Sequence, residues 1–112
     1  MKIPESVRIN GVDYDVQFES RLNDGANLLL GQVDYDKCTI RLNPDVQNHQ
    51  KNCITLWHEI LHALCYNADL KLPDEQEEQI VSALAKGIYQ VLQDNGRKLF
   101  DIANTEKEAT VP

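Results

Sequence analysis

The chain has 112 residues, a formal net charge of −7 and a hydrophobic fraction of 42%. This length is sufficient for one small domain, and it is too short for a second domain with a core of its own. The acidic excess argues against nonspecific binding to nucleic acid or to an anionic membrane surface, because no basic stretch is available to neutralise phosphates. A protein or peptide fits better as the substrate.

The first residues and the cysteines indicate the compartment. The start, Met1-Lys2-Ile3-Pro4-Glu5, lacks the apolar run of a secretory signal, so we expect a cytoplasmic protein. Cys38, Cys53 and Cys65 cannot all pair within one chain, and none has the two-residue spacing of a zinc ribbon. Reduced thiols are the simplest interpretation. The most apolar stretch, residues 53–66, is too short to cross a bilayer.

The first third of the chain has the pattern of paired strands. Apolar residues alternate with polar ones on either side of Asn10-Gly11, the dipeptide that favours a tight hairpin turn. A loop at residues 23–27 separates this hairpin from a second strand pair, and Asn43-Pro44-Asp45 ends the last strand. The four predicted strands cover residues 7–9, 12–18, 28–35 and 38–42.

From about Val46 to Asn67 the apolar residues recur with the period of a helix. Apolar side chains occupy most of its circumference, so the helix must be covered on more than one side. The remaining narrow sector is polar and consists of Lys51, Thr55, His58, His62 and Tyr66, with Cys65 toward one edge. A polar strip on a buried helix indicates where a cleft opens.

A second helix is predicted to begin at Leu72-Pro73-Asp74, where proline and acidic residues suit a first turn. Its apolar stripe consists of Ile80, Val81, Leu84, Ile88, Val91 and Leu92. We expect Asn95-Gly96 to end this helix, and we expect the helix to pack on the first one. The predicted fold is α+β, with a small, twisted, mainly antiparallel sheet of three or four strands and two packed helices on one face. Residues 1–100 form the single domain, and 101–112 form a flexible tail.

The most informative motif is His58-Glu59-Ile60-Leu61-His62, which lies within the first helix. A helix places two residues four apart about 40° from each other, so both imidazoles can bind one zinc ion. Glu59 projects about 100° from His58 and can reach a water on the metal without ligating it, as a metalloprotease general base does. The competing interpretation is that His58 and His62 are satisfied polar residues on a buried helix, since short motifs also occur by chance; the spacing, the glutamate and the acidic helix that follows favour zinc.

A catalytic zinc takes three protein ligands and keeps a fourth position for water. His49 precedes His58 by nine residues and lies too far along the helix to join the pair. The third ligand is therefore expected to be a carboxylate at the start of the second helix, where the candidates are Asp74, Glu75, Glu77 and Glu78. Glu77 and Glu78 can both point inward, and their spacing does not distinguish them.

Three other side chains near the motif have weaker claims. Cys65 follows His62 by three residues, but one helix rarely provides three ligands in tetrahedral geometry, and a buried cysteine is more often a small hydrophobic residue. Tyr66 could donate a hydrogen bond to a developing oxyanion, although a tyrosine at this position is more often a packing residue. Tyr35 has a weaker claim still.

Residues 58–64 and 78–85 resemble the two zinc-site motifs of the gluzincin metallopeptidases, and within them those of the ImmA/IrrE-like and phage-encoded minimal zincins. The resemblance covers about residues 28–95. It implies a zincin-like domain in which Zn²⁺ is bound by His58, His62 and Glu78, with Glu77 as the alternative third ligand. It also implies that the chain hydrolyses peptide bonds in a protein substrate and that Glu59 is the base.

The sequence departs from the family pattern at two positions, and the resemblance also implies how the substrate is held. Val81 and Ser82 stand where the relatives tend to have alanine and asparagine, which alters the expected contact to a zinc histidine. The strand before the active-site helix is implied to lie at the sheet edge and to hold an extended substrate by strand addition, a role we assign to Leu30–Tyr35 beside Cys38–Leu42.

Since relatives of this kind cut transcriptional repressors, the resemblance also implies a regulatory protease of a phage or mobile element. The alternative is a non-catalytic zinc-binding module that uses a zincin scaffold to bind another protein.

Overall fold

A computed structural model describes residues 1–105 of the chain. It contains four strands and two helices: β1 (Ser6–Ile9), β2 (Val12–Phe18), β3 (Gly31–Asp34), β4 (Thr39–Leu42), α1 (His49–Asn67) and α2 (Asp74–Thr105). The strands form one mixed sheet in the order β1-β2-β4-β3. The predicted α+β fold is confirmed.

The first hairpin forms where the sequence predicted it. Asn10 and Gly11 have φ values of 51° and 80°, and Ile9 pairs with Val12 across the turn. A two-residue turn with positive φ at both positions has the twist that antiparallel strands require. Asn10-Gly11 is therefore the local cause of the β1–β2 register.

The second hairpin also forms, with Asp34 opposite Thr39 in the antiparallel β3–β4 pair. Its first strand begins at Gly31, three residues later than predicted. The backbone of the preceding residues is also held: Leu29 donates to the carbonyl of Leu22, and the backbone N–H of Asn43, next to the Gly31–Leu42 pair, donates to the carbonyl of Leu30, both at 2.9 Å. Residues 28–30 are thus an anchored loop.

The sheet is antiparallel in two of its three pairings, and the parallel pairing of β2 with β4 was not predicted. In that pair Val16 lies opposite Ile40. Alternation of apolar residues identifies strands but not their distant partners. The chain after β2 crosses the sheet, so β4 lies between β2 and β3, and β3 becomes an edge strand.

The two helices form successive layers on one side of the sheet. α1 packs against β1, β3 and β4, whereas α2 packs against α1 and contacts no strand within the described residues. The buried core between the sheet and α1 consists of Ile9, Tyr14, Ile40, Leu42, Leu56, Ile60 and Ala63. α1 is therefore covered on two sides, as its apolar circumference requires.

α2 is longer than predicted. It contains 32 residues and runs through Asn95 and Gly96, so the predicted end at these residues is wrong. A glycine within a helix costs only about 1 kcal/mol relative to alanine, and the Asn95 side chain donates to the carbonyl of Val91 within the helix. The expected tail from residue 101 is helical as far as Thr105, and residues 106–112 lie outside the described part. No helix in residues 1–105 combines the length and hydropathy needed to span a membrane.

Candidate metal centre

The positions of the two helices bring the motif residues together. α1 begins after Asn48, whose side chain accepts a hydrogen bond from the backbone of Lys51 and so caps the helix. His58 and His62 lie on the side of α1 that faces the first turns of α2. The chain reverses direction between the helices, so the acidic start of α2 lies beside His62.

Three side chains converge at one point between the helices. His62 Nε2 lies 2.8 Å from Glu78 Oε2, His58 Nε2 lies 3.1 Å from Glu78 Oε1, and the two Nε2 atoms are 3.1 Å apart. Within residues 1–105, His58, His62 and Glu78 form the only group of histidine, cysteine and carboxylate side chains that could hold a metal ion.

Glu77 contacts Nδ1 of His62, the ring nitrogen that does not face Glu78. Its Oε2 lies 2.7 Å from His62 Nδ1, which donates a hydrogen bond to the carboxylate. Donation from Nδ1 leaves the lone pair of a neutral imidazole on Nε2, facing Glu78 and His58. The two neighbouring glutamates thus have different contacts, and Glu77 is the residue that orients His62.

Ser82 has a similar relation to His58. Its hydroxyl lies 3.4 Å from His58 Nδ1 and donates to Glu78 Oε1 at 3.3 Å. Since the hydroxyl hydrogen is directed to Glu78, the serine oxygen is available to accept from His58 Nδ1, which again leaves the Nε2 lone pair facing inward. Serine thus contacts this histidine at the position where the sequence departs from the expected asparagine.

The chemistry of this donor set fits a divalent metal ion. Two imidazole lone pairs and a carboxylate point at one another, and their mutual repulsion is relieved only by a proton or another cation between them. Tetrahedral zinc bonds of 2.0–2.1 Å would space ligand atoms about 3.3 Å apart, close to the separations found here. His58 and His62 are 21% and 15% exposed, so the point is partly shielded from water.

The pKa values follow from this arrangement. Burial lowers the pKa of His58 and thus favours the neutral ring. Burial also opposes the charged form of His62, but the hydrogen bonds to Glu77 and Glu78 outweigh it, and the pKa of His62 is raised. The pKa of Glu78 is lowered because the two histidines outweigh the effect of its partial burial.

Glu59, the expected general base, is buried and only 7% exposed. Burial raises its pKa to about 7, His62 opposes this rise, and the charge of Glu78 adds to it. A carboxyl group with a pKa near neutrality can both accept and return a proton at neutral pH. The side chain lies against the start of β3: a Cβ on Gly31 would be 3.4 Å from Glu59 Cγ.

A cleft of about 810 Å³ opens over these residues, between β3 and the two helices. From α2 its lining includes the acidic residues Asp74, Glu77 and Glu78 together with Lys86; from β3, the residues beside it and α1 it includes Leu28, Leu30, Val33, Tyr35 and Ile54. Leu28 and Leu30 are 62% and 55% exposed. The carbonyl of Leu30 accepts hydrogen bonds from the Gln47 side chain and the Asn43 backbone, each at 2.9 Å. A rigid backbone therefore holds exposed leucines at the mouth of the cleft.

The tyrosine that lines the cleft is Tyr35, whereas Tyr66, the oxyanion donor considered from the sequence, lies beside it. The two rings stack with centroids 4.0 Å apart and planes 1° apart, and Tyr66 is 55% exposed. Burial, together with the charges of Glu77 and Glu59, raises the pKa of Tyr35 to about 12. The available signal in the sequence was the position of Tyr35 directly after the predicted edge strand.

The remaining candidates lie outside the cluster. His49 Nε2 lies 2.7 Å from the backbone oxygen of Met1 and 3.5 Å from Cys53 Sγ, at the start of α1. Cys65 does not belong to the group that could hold a metal. All three cysteines are free thiols, and burial raises the pKa of Cys65 and Cys53.

No protein-family profile matches this chain, and no curated protein or solved structure shows significant similarity to it. Similarity therefore assigns the chain to no family.

Proposed function

We propose that this protein is a zinc-dependent peptidase of the gluzincin type that hydrolyses peptide bonds in a protein substrate. The observation that supports the proposal is the convergence of His58 Nε2, His62 Nε2 and the Glu78 carboxylate beside the buried carboxyl of Glu59. In this proposal the first three side chains hold the metal. Bound zinc would supply a Lewis acid that polarises the scissile carbonyl and makes a water molecule more acidic.

Each neighbouring side chain has a defined task. Glu77 and Ser82 hold the tautomers in which both Nε2 atoms are ligands. Glu59 takes the proton of the attacking water and delivers it to the leaving amine, which its pKa of about 7 permits in both directions. Tyr35 remains protonated at neutral pH and donates a hydrogen bond to the developing oxyanion.

The substrate binds as an extended segment along β3. This strand pairs with β4 on one side only, so its other edge can accept a further strand. The leucines at the cleft mouth, Leu28 and Leu30, favour an apolar side chain near the scissile bond. A cytoplasmic setting is part of the proposal, since free thiols persist in a reducing compartment.

The test combines zinc content with cleavage of an unfolded, labelled protein. Glu59→Gln should retain zinc at one ion per chain but lose cleavage, because the base is removed and the ligands are not. Glu78→Gln should lose both. Glu75→Gln is the matched control: it removes an exposed carboxylate from the same helical turn and should behave as the wild type.

Other outcomes would contradict parts of the proposal. A protein that binds zinc at one ion per chain but cleaves no unfolded substrate would be the non-catalytic binding module. Cleavage by Glu59→Gln at the wild-type rate would remove Glu59 from the mechanism. Absence of zinc after purification and zinc titration would refute the metal site itself.

A further inference from the structure

The two ends of the cleft carry opposite charges. Asp74 and Lys86 both line the cleft from α2, twelve residues apart, which corresponds to about 18 Å of helix. Both are exposed, and the ion pairs within residues 1–105 include neither of them. Lys86 is also the only lysine or arginine among the described residues that line the cleft. We call the part of the cleft beside Asp74 its acidic end and the part beside Lys86 its basic end.

The candidate metal centre lies between the two ends and nearer to the acidic one. Glu78 follows Asp74 by four residues and precedes Lys86 by eight, which correspond to about 6 Å and about 12 Å of helix. An extended peptide advances about 3.3 Å per residue. Asp74 is therefore about two residues of such a peptide away from the metal centre, and Lys86 is about three or four residues away on the other side.

The contacts between the helices show which part of α1 faces Lys86. α1 and α2 are antiparallel, so a step toward Lys86 on α2 is a step toward the start of α1. Ser82 contacts His58, and Lys86 follows Ser82 by about one turn. Lys86 is thus level with Ile54, one turn before His58, and Ile54 also lines the cleft.

β3 runs in the same direction as α1. At its start, a Cβ on Gly31 would meet Thr55. Just after its end, Tyr35 stacks on Tyr66. The strand therefore begins at the basic end of the cleft and finishes at the acidic end. Antiparallel pairing is slightly more stable than parallel pairing, and a substrate antiparallel to β3 would direct its C-terminal side to the basic end.

We propose that the cleft selects its substrate by charge: Lys86 binds a carboxylate about three or four residues to the C-terminal side of the scissile bond, and Asp74 binds a positive charge about two residues to the N-terminal side. This inference rests on the proposed function, because it names the substrate of the same site. The carboxylate is that of an aspartate or glutamate, or of the substrate's C-terminus, since an ammonium group binds both by the same charge-assisted hydrogen bond.

The preference should be modest in size and sensitive to salt. At the acidic end, Glu77 is already paired with His62, so Asp74 is the carboxylate left to bind a substrate. Asp74 and Lys86 are both exposed, and an exposed ion pair changes an equilibrium constant by at most about fivefold. High salt screens such a pair. We therefore expect a preference of about fivefold at low salt that disappears at about 1 M salt.

The experiment measures the binding of short labelled peptides to the full chain with Glu59→Gln, in excess zinc, by fluorescence anisotropy. The peptides are capped at both ends, contain one central leucine, and carry glutamate, glutamine or lysine about three residues after it. The glutamate peptide should bind about fivefold more tightly than the glutamine peptide. Adding Lys86→Met, which keeps the length of the side chain, should bring this ratio to about one, and Lys86→Glu should make the lysine peptide the preferred one.

Two controls accompany this series. Lys98→Met removes the same charge from α2 outside the cleft and should keep the preference for glutamate. A glutamine peptide that ends at the same position in a free carboxylate distinguishes a C-terminus from a side chain as the group bound. For a peptide with lysine about two residues before the leucine, Asp74→Asn should abolish the preference, and the exposed neighbour Glu75→Gln should retain it.

The outcomes separate this inference from the proposed function. Equal binding of the three peptides, absence of binding, or a preference unchanged in Lys86→Met would overturn the role of Lys86. A stronger effect of glutamate before the leucine than after it would overturn the antiparallel direction. A wild type that cleaves the glutamine peptide as fast as the glutamate peptide would refute the charge selection alone, whereas a charge preference without any cleavage would refute the hydrolysis alone.

Discussion

Gly31 allows β3 to lie against α1, and adding one methyl group there should destabilise the protein measurably. A Cβ at this position would lie 2.5 Å from Thr55 Cγ2 and 3.2 Å from the carbonyl oxygen of Arg41. Carbon atoms in contact are normally about 3.5–4.0 Å apart, so the strand and helix must separate. Thr55 is buried and cannot rotate freely, because its hydroxyl donates to Gln47 Oε1 at 2.9 Å.

We expect Gly31→Ala to lower the free energy of unfolding by about 2 kcal/mol, the usual cost of overpacking a core site. For a domain of this size the melting temperature should fall by about 10 °C. Urea denaturation followed by circular dichroism measures the first quantity, and a thermal scan measures the second. Because the displaced strand begins beside Glu59, cleavage should fall while zinc content remains unchanged.

A second variant tests the stated cause. Thr55→Ser removes Cγ2 and keeps the hydroxyl that bonds to Gln47; alone it should cost about 1 kcal/mol for the lost methyl group. In the double variant with Gly31→Ala the short contact is absent. Its free energy of unfolding should therefore be about 1–2 kcal/mol higher than the sum of the two single effects predicts. A Gly31→Ala protein as stable as the wild type, or strictly additive effects, would refute the steric explanation.

Three further predictions concern the cleft. Glu77→Leu should weaken zinc binding about 10–100-fold, because no oxygen remains to accept the hydrogen bond from His62 Nδ1; competition with a chelator measures this, and equal affinity would exclude the orienting role. Zinc at about a hundredfold excess over its dissociation constant should stabilise the wild type by about 2.7 kcal/mol, and an equal thermal shift in Glu78→Gln would remove Glu78 from the ligands. The pKa of Tyr35 is raised to about 12, so between its ordinary value near 10 and that value the folded chain keeps a proton that the unfolded chain loses. Stability should therefore be retained below pH 10 and fall toward pH 12, and this part of the fall should be absent from denaturation curves of Tyr35→Phe.

The parts of the fold that the sequence predicts are those with local causes. Asn10-Gly11 determines the first hairpin through its own backbone preferences, and the apolar period of residues 46–67 determines α1. The parallel β2–β4 pair depends on contacts between distant segments, which no local pattern encodes. The sequence also did not predict that α2 continues through Gly96. The helix-propensity cost of one glycine and one asparagine is small, and it does not exceed the stabilisation that the flanking residues give to the helix.

The candidate site divides in the same way. Helix geometry alone predicts the relative positions of the His58, Glu59 and His62 side chains from their spacing in the sequence. The choice between Glu77 and Glu78 depends on how α2 is rotated against α1, which the packing of buried residues determines. Both glutamates contact the ring of His62: Glu77 lies at Nδ1, and Glu78 lies at Nε2, on the side of His58. The spacing in the sequence could not show which glutamate has which contact. The sequence ranked Tyr66 above Tyr35, and it could not show that the two rings stack because this contact joins a strand end to a helix end.

The layering of the two helices affects how the native state opens. Because α2 packs against α1 and contacts no strand within the described residues, it can detach while the sheet and its core remain intact. Backbone amides of α2 should thus exchange with solvent through a sub-global opening, at a lower free energy than those of β4. His58 and His62 lie on α1 and Glu78 lies on α2. A cation bound by all three would therefore link the two helices and raise the free energy of this local opening.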